Sequence, residues 1–336
     1  MIRFIIRRLI GVVILLWVVS VVTFSIFFLV PKLVGTNPAL LYVGRTADQA
    51  AIHDAEIRLG LDKPVVVQYG RFAKGIVAGR DFSNGPGVDH CPAPCLGYSF
   101  KSNQSVTTIL RQALPITASL AAGAAVMWVT LGVGAGIISA LRKGTLADRG
   151  VMMVALAGVS LPVYFTGLLS LFLFSFGPSW LRLFPNIQYV SITHNPLTWA
   201  RNLFLPWTVI AFLNAALYAR LTRANMLETM NEDYIRTARA KGLPERTVIG
   251  RHGLRAALTP LITIFGLDLG GLLGGAVITE QVFGLQGVGK TAITAIAQVD
   301  LPVVEGTVLL AAFFIIMANL IVDVLYAFVD PRVKYS

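Results

Sequence analysis

The run LIGVVILLWVVSVVTFSIFFLV, residues 9–30, holds no Asp, Glu, Lys or Arg, and it decides the fold class. A helix crossing the hydrocarbon of a bilayer needs about 20 consecutive apolar residues, and this run supplies them. Five further stretches repeat the pattern. Residues 112–141, 150–181 and 202–219 carry no charge, while 256–279 and 306–329 carry one acid each, Asp268 and Asp323. Strict apolar–polar alternation is missing, which disfavours a membrane barrel. The spacing therefore predicts an all-α polytopic membrane protein with six transmembrane helices. Arg3, Arg7 and Arg8 ahead of the first run imitate a signal peptide or a twin-arginine signal. The apolar run is longer than the about 7–15 residues of an h-region, and no small-residue cleavage site closes it. It reads as a retained first helix.

Composition agrees. Of 336 residues, 55% are hydrophobic and 13% charged, too apolar for a soluble domain and too poor in charge for disorder. The mean hydropathy is +0.71. Two cysteines, Cys91 and Cys95, exclude a disulfide-rich scaffold and a four-cysteine metal site. The net charge of +11 would suit nucleic acid, but its distribution points to a membrane. Sixteen of the 28 Lys and Arg fall before the first span, in 142–149, in 220–255 and in the C-terminal tail. Short outer segments hold only Arg182, Arg201 and Lys290. By the positive-inside rule both termini are cytoplasmic.

The chain then divides into a first transmembrane helix (1–31), an extracytoplasmic segment (32–111) and a five-helix core (112–336). In the second part, ADQAAIHDAEIRLGLDKP (47–64) reads as a short amphipathic helix ending near Gly60, with an extended stretch after Pro64. NGPGVDHCPAPCLGYSF (84–100) is a turn-rich insertion. Its Cys91 and Cys95 are candidates for a disulfide, with free thiols as one alternative and a metal set with His90 as another. GLQGVGKT (284–291) fits the phosphate-cradling pattern G-x-x-x-x-G-K-[ST]. The pattern needs a buried strand before it, and here a membrane span precedes it. It reads as a chance match, a turn made flexible by Gly284, Gly287 and Gly289.

Residues 220–255, RLTRANMLETMNEDYIRTARAKGLPERTVIGRHGLR, are the most informative part outside the spans. From Glu232 and Asp233 a helix should run with Tyr234, Ile235 and Ala238 on one side. Gly242 supplies a left-handed stop, and Pro244 opens a second helix. Glu245 suits the positive end of that helix and Arg251 its negative end. DNA binding is a poor reading, because both ends are tied into membrane spans. A lipid-headgroup clamp is possible on charge, but a rigid turn with apolar residues needing a cover better suits docking to a cytoplasmic protein.

YIRTARAKGLPERTVIGRHGLR (234–255) resembles the cytoplasmic signature of permease subunits in binding-protein-dependent ABC importers, in its dipeptide/oligopeptide form. The general motif is E-A-A, three residues and Gly. Anchored on Gly242, it puts Ala238 on the second alanine, Thr237 on the first and Arg236 on the glutamate. The peptide branch favours R-T-A-x-A-K-G, which is what stands here. The likeness continues in MIRFIIRRL (1–9), LGLDKPVVVQYGRF (59–72), ISALRKGTLADR (138–149), GVSLPVYFTGLL (158–169), GGAVITEQVFGLQGVGKTAI (274–293) and IVDVLYAFVDPRV (321–333). The region around Cys91 and Cys95 matches nothing in the general family.

The resemblance implies a type I ABC importer permease fold in the plasma membrane of a prokaryote. It implies a second homologous permease subunit, two ATPase subunits and an extracytoplasmic peptide-binding protein as partners. ATP and Mg would sit on the ATPases, with no cofactor and no metal in this chain. Residues carried over to ATPase coupling are Tyr234, Arg236, Thr237, Ala238, Lys241, Gly242, Leu243, Pro244 and Arg246. No catalytic set can be assembled, so the chain is not expected to be an enzyme. A nickel-importing permease is the rival within the family, weakened by the lack of a His/Cys ligand set in the spans. A secondary transporter would need coupling-ion sites, for which only Asp268 and Asp323 are candidates. Asp323 reads as structural. Asp268, flanked by Gly266, Gly270 and Gly271, either faces a wet pathway or pairs with another helix.

Overall fold

The computed structural model describes residues 2–30, 39–40, 48–84, 87–185 and 187–329. Among the described residues five helices are long and apolar enough to cross a membrane: Ile6–Leu29, Val106–Leu141, Pro196–Thr229, Glu245–Leu273 and Leu301–Leu325. The pair Leu146–Ser160 and Val163–Phe174 is also apolar enough taken together, but it is bent by 105°, as in a broken span or a re-entrant loop. The uncharged run 150–181 is therefore not one straight span. Pro162 has no N–H to donate and forces the residue before it out of the helical region, and Leu161 adopts ψ 130. Charge-free length reports how much chain tolerates lipid, not its direction.

The chain forms two compact units. One comprises Met1–Thr117, Leu273–Val277 and Gln286–Leu320. Its first helix, Ile2–Phe24, widens into a π-helical turn at Ser25–Leu29. Thr23 and Ser25 hide their hydroxyls by donating to the carbonyls of Val19 and Val21, both at 2.7 Å. Gly60, at φ +71, ends the helix Gln49–Leu59 as its sequence suggests. The stretch after Pro64 is not extended: Val65–Ala78 is helical. The Pro64 carbonyl accepts from Val67 and Gln68, and Phe72 packs on Phe24 of the first helix. Tertiary burial of that apolar face overrides the β preference of three consecutive valines.

The insertion that follows is a small folded piece rather than a string of turns. Arg80–Asn84 pairs antiparallel with Gly87–Cys91, and Tyr98–Ser99 with Gln104–Ser105. Phe82, Tyr98 and Phe100 pack together over the buried Cys91–Cys95 disulfide. The Cys95 amide donates to the Gly75 carbonyl at 3.1 Å, tying the insertion to the preceding helix. Val106, Leu110, Val288 and Val303 supply a second core in this unit.

The other unit comprises Ala118–Leu272, Ile278–Leu285 and Ile321–Ser336. Its helices approach through small residues, the usual solution where lipid removes the hydrophobic drive between helices. A Cβ on Gly123 would fall within the Trp207 ring, and one on Gly132 or Gly136 would strike the backbone of Ala215 or Ala219. The helix Pro196–Thr229 overruns its uncharged stretch at both ends. Asn195 caps its start, the side-chain oxygen accepting from the Thr198 amide at 3.0 Å.

Candidate functional site

The segment 230–255 is a helix, a tight turn and a second helix. Asp233–Ala240 is helical, and it buries Ile235 and Ala238 against Val248 and Met230. Tyr234 is exposed, so it does not share the face of Ile235 and Ala238 as its spacing suggests. The turn has the bonds of a Schellman motif. The Leu243 amide donates to the Ala238 carbonyl at 3.3 Å, and the Gly242 amide to that of Arg239 at 2.9 Å. Gly242 lies at φ +74, a conformation that L side chains avoid. Pro244 then receives the amides of Thr247 and Val248 on its carbonyl.

An ion pair closes the turn: Arg239 grips Glu245 with two bonds, at 3.2 and 2.7 Å. That carboxylate raises the Arg239 guanidinium above its usual range. Arg251 does not sit at a helix end. Glu245–Thr247 passes through a π-helical stretch, Val248–Leu254, straight into Arg255–Leu273, so no C-terminal dipole exists there. Of the nine residues carried over from the family signature, only Ala238 is buried. Tyr234, Arg236, Thr237, Lys241, Gly242, Leu243, Pro244 and Arg246 are all exposed on this hairpin.

The hairpin stands on a packed base that the sequence reading missed. Met226, Ala140 and Ala257 form its core, and the Asn225 side chain donates to the Ala257 carbonyl at 3.1 Å. Gly253 lets this stretch approach Met230, where a Cβ would lie 2.8 Å from the sulfur. Beside them Arg223 clasps Asp148 with two bonds of 2.7 and 2.9 Å. Ser139 and the Gly144 amide donate to the same carboxylate. A lone acid among Arg142, Lys143 and Arg149 was the available signal, but nothing in spacing identifies Arg223 as its partner, 75 residues away.

Asp268 accepts a hydrogen bond from the Tyr218 hydroxyl at 2.9 Å, and Trp128 packs against Tyr218 and Phe265. The structure thus brings Asp268 to another helix, one of the two arrangements its sequence allowed. Counting charges within apolar runs overlooked other acids near those runs. Glu280 and Glu305 are buried, and Asp300 accepts from Ser99. Burial raises the Asp300 carboxyl above its usual range. In GLQGVGKT, Gly284 does adopt φ +70. Gly289 serves a different end, since a Cβ there would lie 2.7 Å from Val277 Cα. The Val288 amide is held by the Thr117 hydroxyl at 2.8 Å. His90 hydrogen-bonds Asp81 at 2.5 Å, and among the described residues no group of three His, Cys, Asp or Glu could hold a metal.

Comparison with known proteins places this geometry in context. The family described as binding-protein-dependent transport system inner membrane component matches residues 132–335. Its N-terminal companion matches residues 1–121. A candidate peptide transport system permease protein of Brucella abortus (strain 2308) is 37% identical over 99% of both chains. The dipeptide transport system permease protein of Alkalihalophilus pseudofirmus is 35% identical over the full length of both. The glutathione transport system permease protein of Escherichia coli O6:H1 is 34% identical, again over both full lengths.

Proposed function

The chain belongs to the family of binding-protein-dependent transport system inner membrane components, and we propose that it imports peptides by coupling its spans to cytoplasmic ATPase subunits. It is a multi-pass inner-membrane permease subunit of an ABC importer, not an enzyme. Peptide is favoured as cargo because relatives named for peptide, dipeptide and glutathione transport align along essentially the whole chain.

In this reading both termini are cytoplasmic, and the hairpin 233–247 fits a groove on one of two ATPases, which carry ATP and Mg. A second homologous permease subunit completes the pathway, and an extracytoplasmic binding protein delivers the peptide. The observation that carries the coupling role is the exposure of eight signature residues on a turn whose shape is fixed from beneath by Ile235, Ala238 and Val248. Closure of the ATPases on ATP would move the docked hairpin and switch the spans between outward and inward access. Asp268, although held by Tyr218 of another helix, is kept as a pathway candidate in this reading, because its half-buried carboxylate could also attract the ammonium of a peptide.

The test is a single-cysteine substitution, Leu243→Cys, in a Cys91→Ala/Cys95→Ala background, in the complete transporter. Cross-linking to an ATPase subunit, changing in yield with ATP, is expected. A transporter that takes up dipeptide but never yields that cross-link would remove the coupling assignment.

A further inference from the structure

Within the unit that includes Ala118–Leu272, a cavity of about 680 Å³ lies among the helices Val106–Leu141, Leu146–Ser160, Val163–Phe174 and Pro196–Thr229. Its lining runs from Met127 to Ala135 on one of them and from Thr208 to Ala219 on another, and includes no charged residue. The hydroxyls it contains are spent within their own helices. Thr166 donates to the Val163 carbonyl at 3.0 Å, Ser170 to Gly167 at 2.7 Å and Thr208 to Leu205 at 2.7 Å. A peptide here would leave its amides and carbonyls unbonded, whereas a hydrocarbon chain has none to satisfy. Leu131 and Val154 line the cavity and are themselves exposed, so it opens through the flank of the helices.

One end of this cavity is basic. A Cβ on Gly123, Gly132 or Gly136 would meet Trp207, Ala215 or Ala219, in the same order, so those two helices run parallel. Leu146–Ser160 runs against them, with Asp148 held by Arg223 and Gly158 close to Ala216. Arg142, Lys143, Arg149 and Arg220 therefore share one end, where Arg149 adjoins the lining residue Gly150 and Arg220 adjoins Ala219. All four are exposed, and no ion pair engages them among the described residues. Length decides what fits. At about 1.5 Å per residue, Thr208 to Ala219 spans about 16 Å, close to half of the roughly 30 Å hydrocarbon thickness. That is the reach of an acyl chain from one leaflet. A further helix, about 10 Å across, would take up about 1,250 Å³ over the same length, nearly twice the space present.

We propose that this cavity is a lipid site: it takes an acyl chain of an anionic phospholipid from the leaflet at its basic end. The headgroup phosphate lies toward Arg149 and Arg220, whose forked donors suit phosphate oxygens, with Arg142 and Lys143 adding to the attraction. Apolar walls with satisfied hydroxyls select the chain, and unpaired cations select the headgroup. The site does not depend on the cargo of the transporter, since it needs only the bilayer that the helices cross.

The experiment adds dioleoylphosphatidylglycerol or dioleoylphosphatidylcholine to the full-length chain in detergent and reads bound lipid by native mass spectrometry. Phosphatidylglycerol should be retained on the chain, bound about tenfold more tightly than phosphatidylcholine. Arg149→Gln/Arg220→Gln, at two exposed positions, should cut that preference to less than about threefold. Gly150→Leu/Val154→Trp should fill the cavity and remove the retained lipid of either kind. A Cβ on Gly150 meets nothing within 4 Å and Val154 is exposed, so this variant should still fold. No retained lipid, equal binding of the two lipids, an unchanged preference in the arginine variant or undiminished retention in the filled one would overturn the site. Cross-linking of Val154→Cys to a second permease subunit in the complete transporter would also overturn it, by showing a protein at the mouth of the cavity.

Discussion

The hairpin 233–254 and the insertion 80–105 are both excursions from the apolar helices, and they hold their shapes by different means. The hairpin keeps a fixed turn with backbone bonds around Gly242, one exposed ion pair and three apolar contacts beneath. The insertion is closed on itself by the Cys91–Cys95 bond and a stack of aromatic rings. A fixed turn with its signature turned outward suits a surface that must be gripped. A segment with its own core can persist without a neighbour to cover it. The contrast teaches that the hairpin is fragile to single changes in its support, and the insertion is not.

The sharpest way to break this contrast is Ile235→Asp. An unpaired carboxylate at a fully buried position should dismantle the hairpin, and uptake should fall about a hundredfold while the spans still insert. Loss of co-purifying ATPase would be the readout, and retention of normal uptake would remove the support argument. Gly242→Val comes next. Space around Gly242 is open, so the effect is backbone strain alone, about 1–2 kcal/mol. A change of that size shifts the population by a factor of about 5–30, and dipeptide uptake should fall within that window. Asp268→Asn keeps an acceptor for Tyr218 and removes the charge, so uptake of peptides with free N-termini should fall by about threefold to tenfold with the complex intact.

On the other side, Cys91→Ala/Cys95→Ala should leave the aromatic stack in place. Trypsin cleavage within 80–105 should accelerate while uptake changes by less than about threefold. A collapse of uptake as deep as that of Ile235→Asp would erase the distinction between the two regions. The smallest effect is expected of Lys290→Ala: if GLQGVGKT is no nucleotide site, ATP binding by the assembled transporter stays unchanged.

What the sequence discloses here follows from the range of the forces involved. Turn chemistry is local, so a helix end near Gly60 and a left-handed stop at Gly242 could be read from their neighbours alone. Spans follow from apolar length, and the signature 234–255 could be matched as a string. Pairings between distant residues leave no such trace. Asp148 with Arg223 and Asp268 with Tyr218 are set by helix packing through glycines and alanines. The helix at Val65–Ala78 was hidden because three valines favour strand, and only the packing of Val65, Tyr69 and Phe72 around Phe24 fixes the segment as a helix. The 105° bend after Ser160 was hidden because a Pro within an apolar run changes direction without changing hydropathy.

The unbroken path from Glu245 to Leu273 has a mechanical corollary. At about 1.5 Å per residue it is a rod of roughly 40 Å, with the turn around Gly242 at one end and Asp268 near the other. No loop intervenes to absorb displacement, so a push on the turn arrives along the rod as translation rather than being lost as slack. The winding loosens at the π-helical stretch Val248–Leu254, and one backbone bond is missing further on at Pro260. Torque, unlike thrust, can be shed there, so the rod transmits stroke more faithfully than twist.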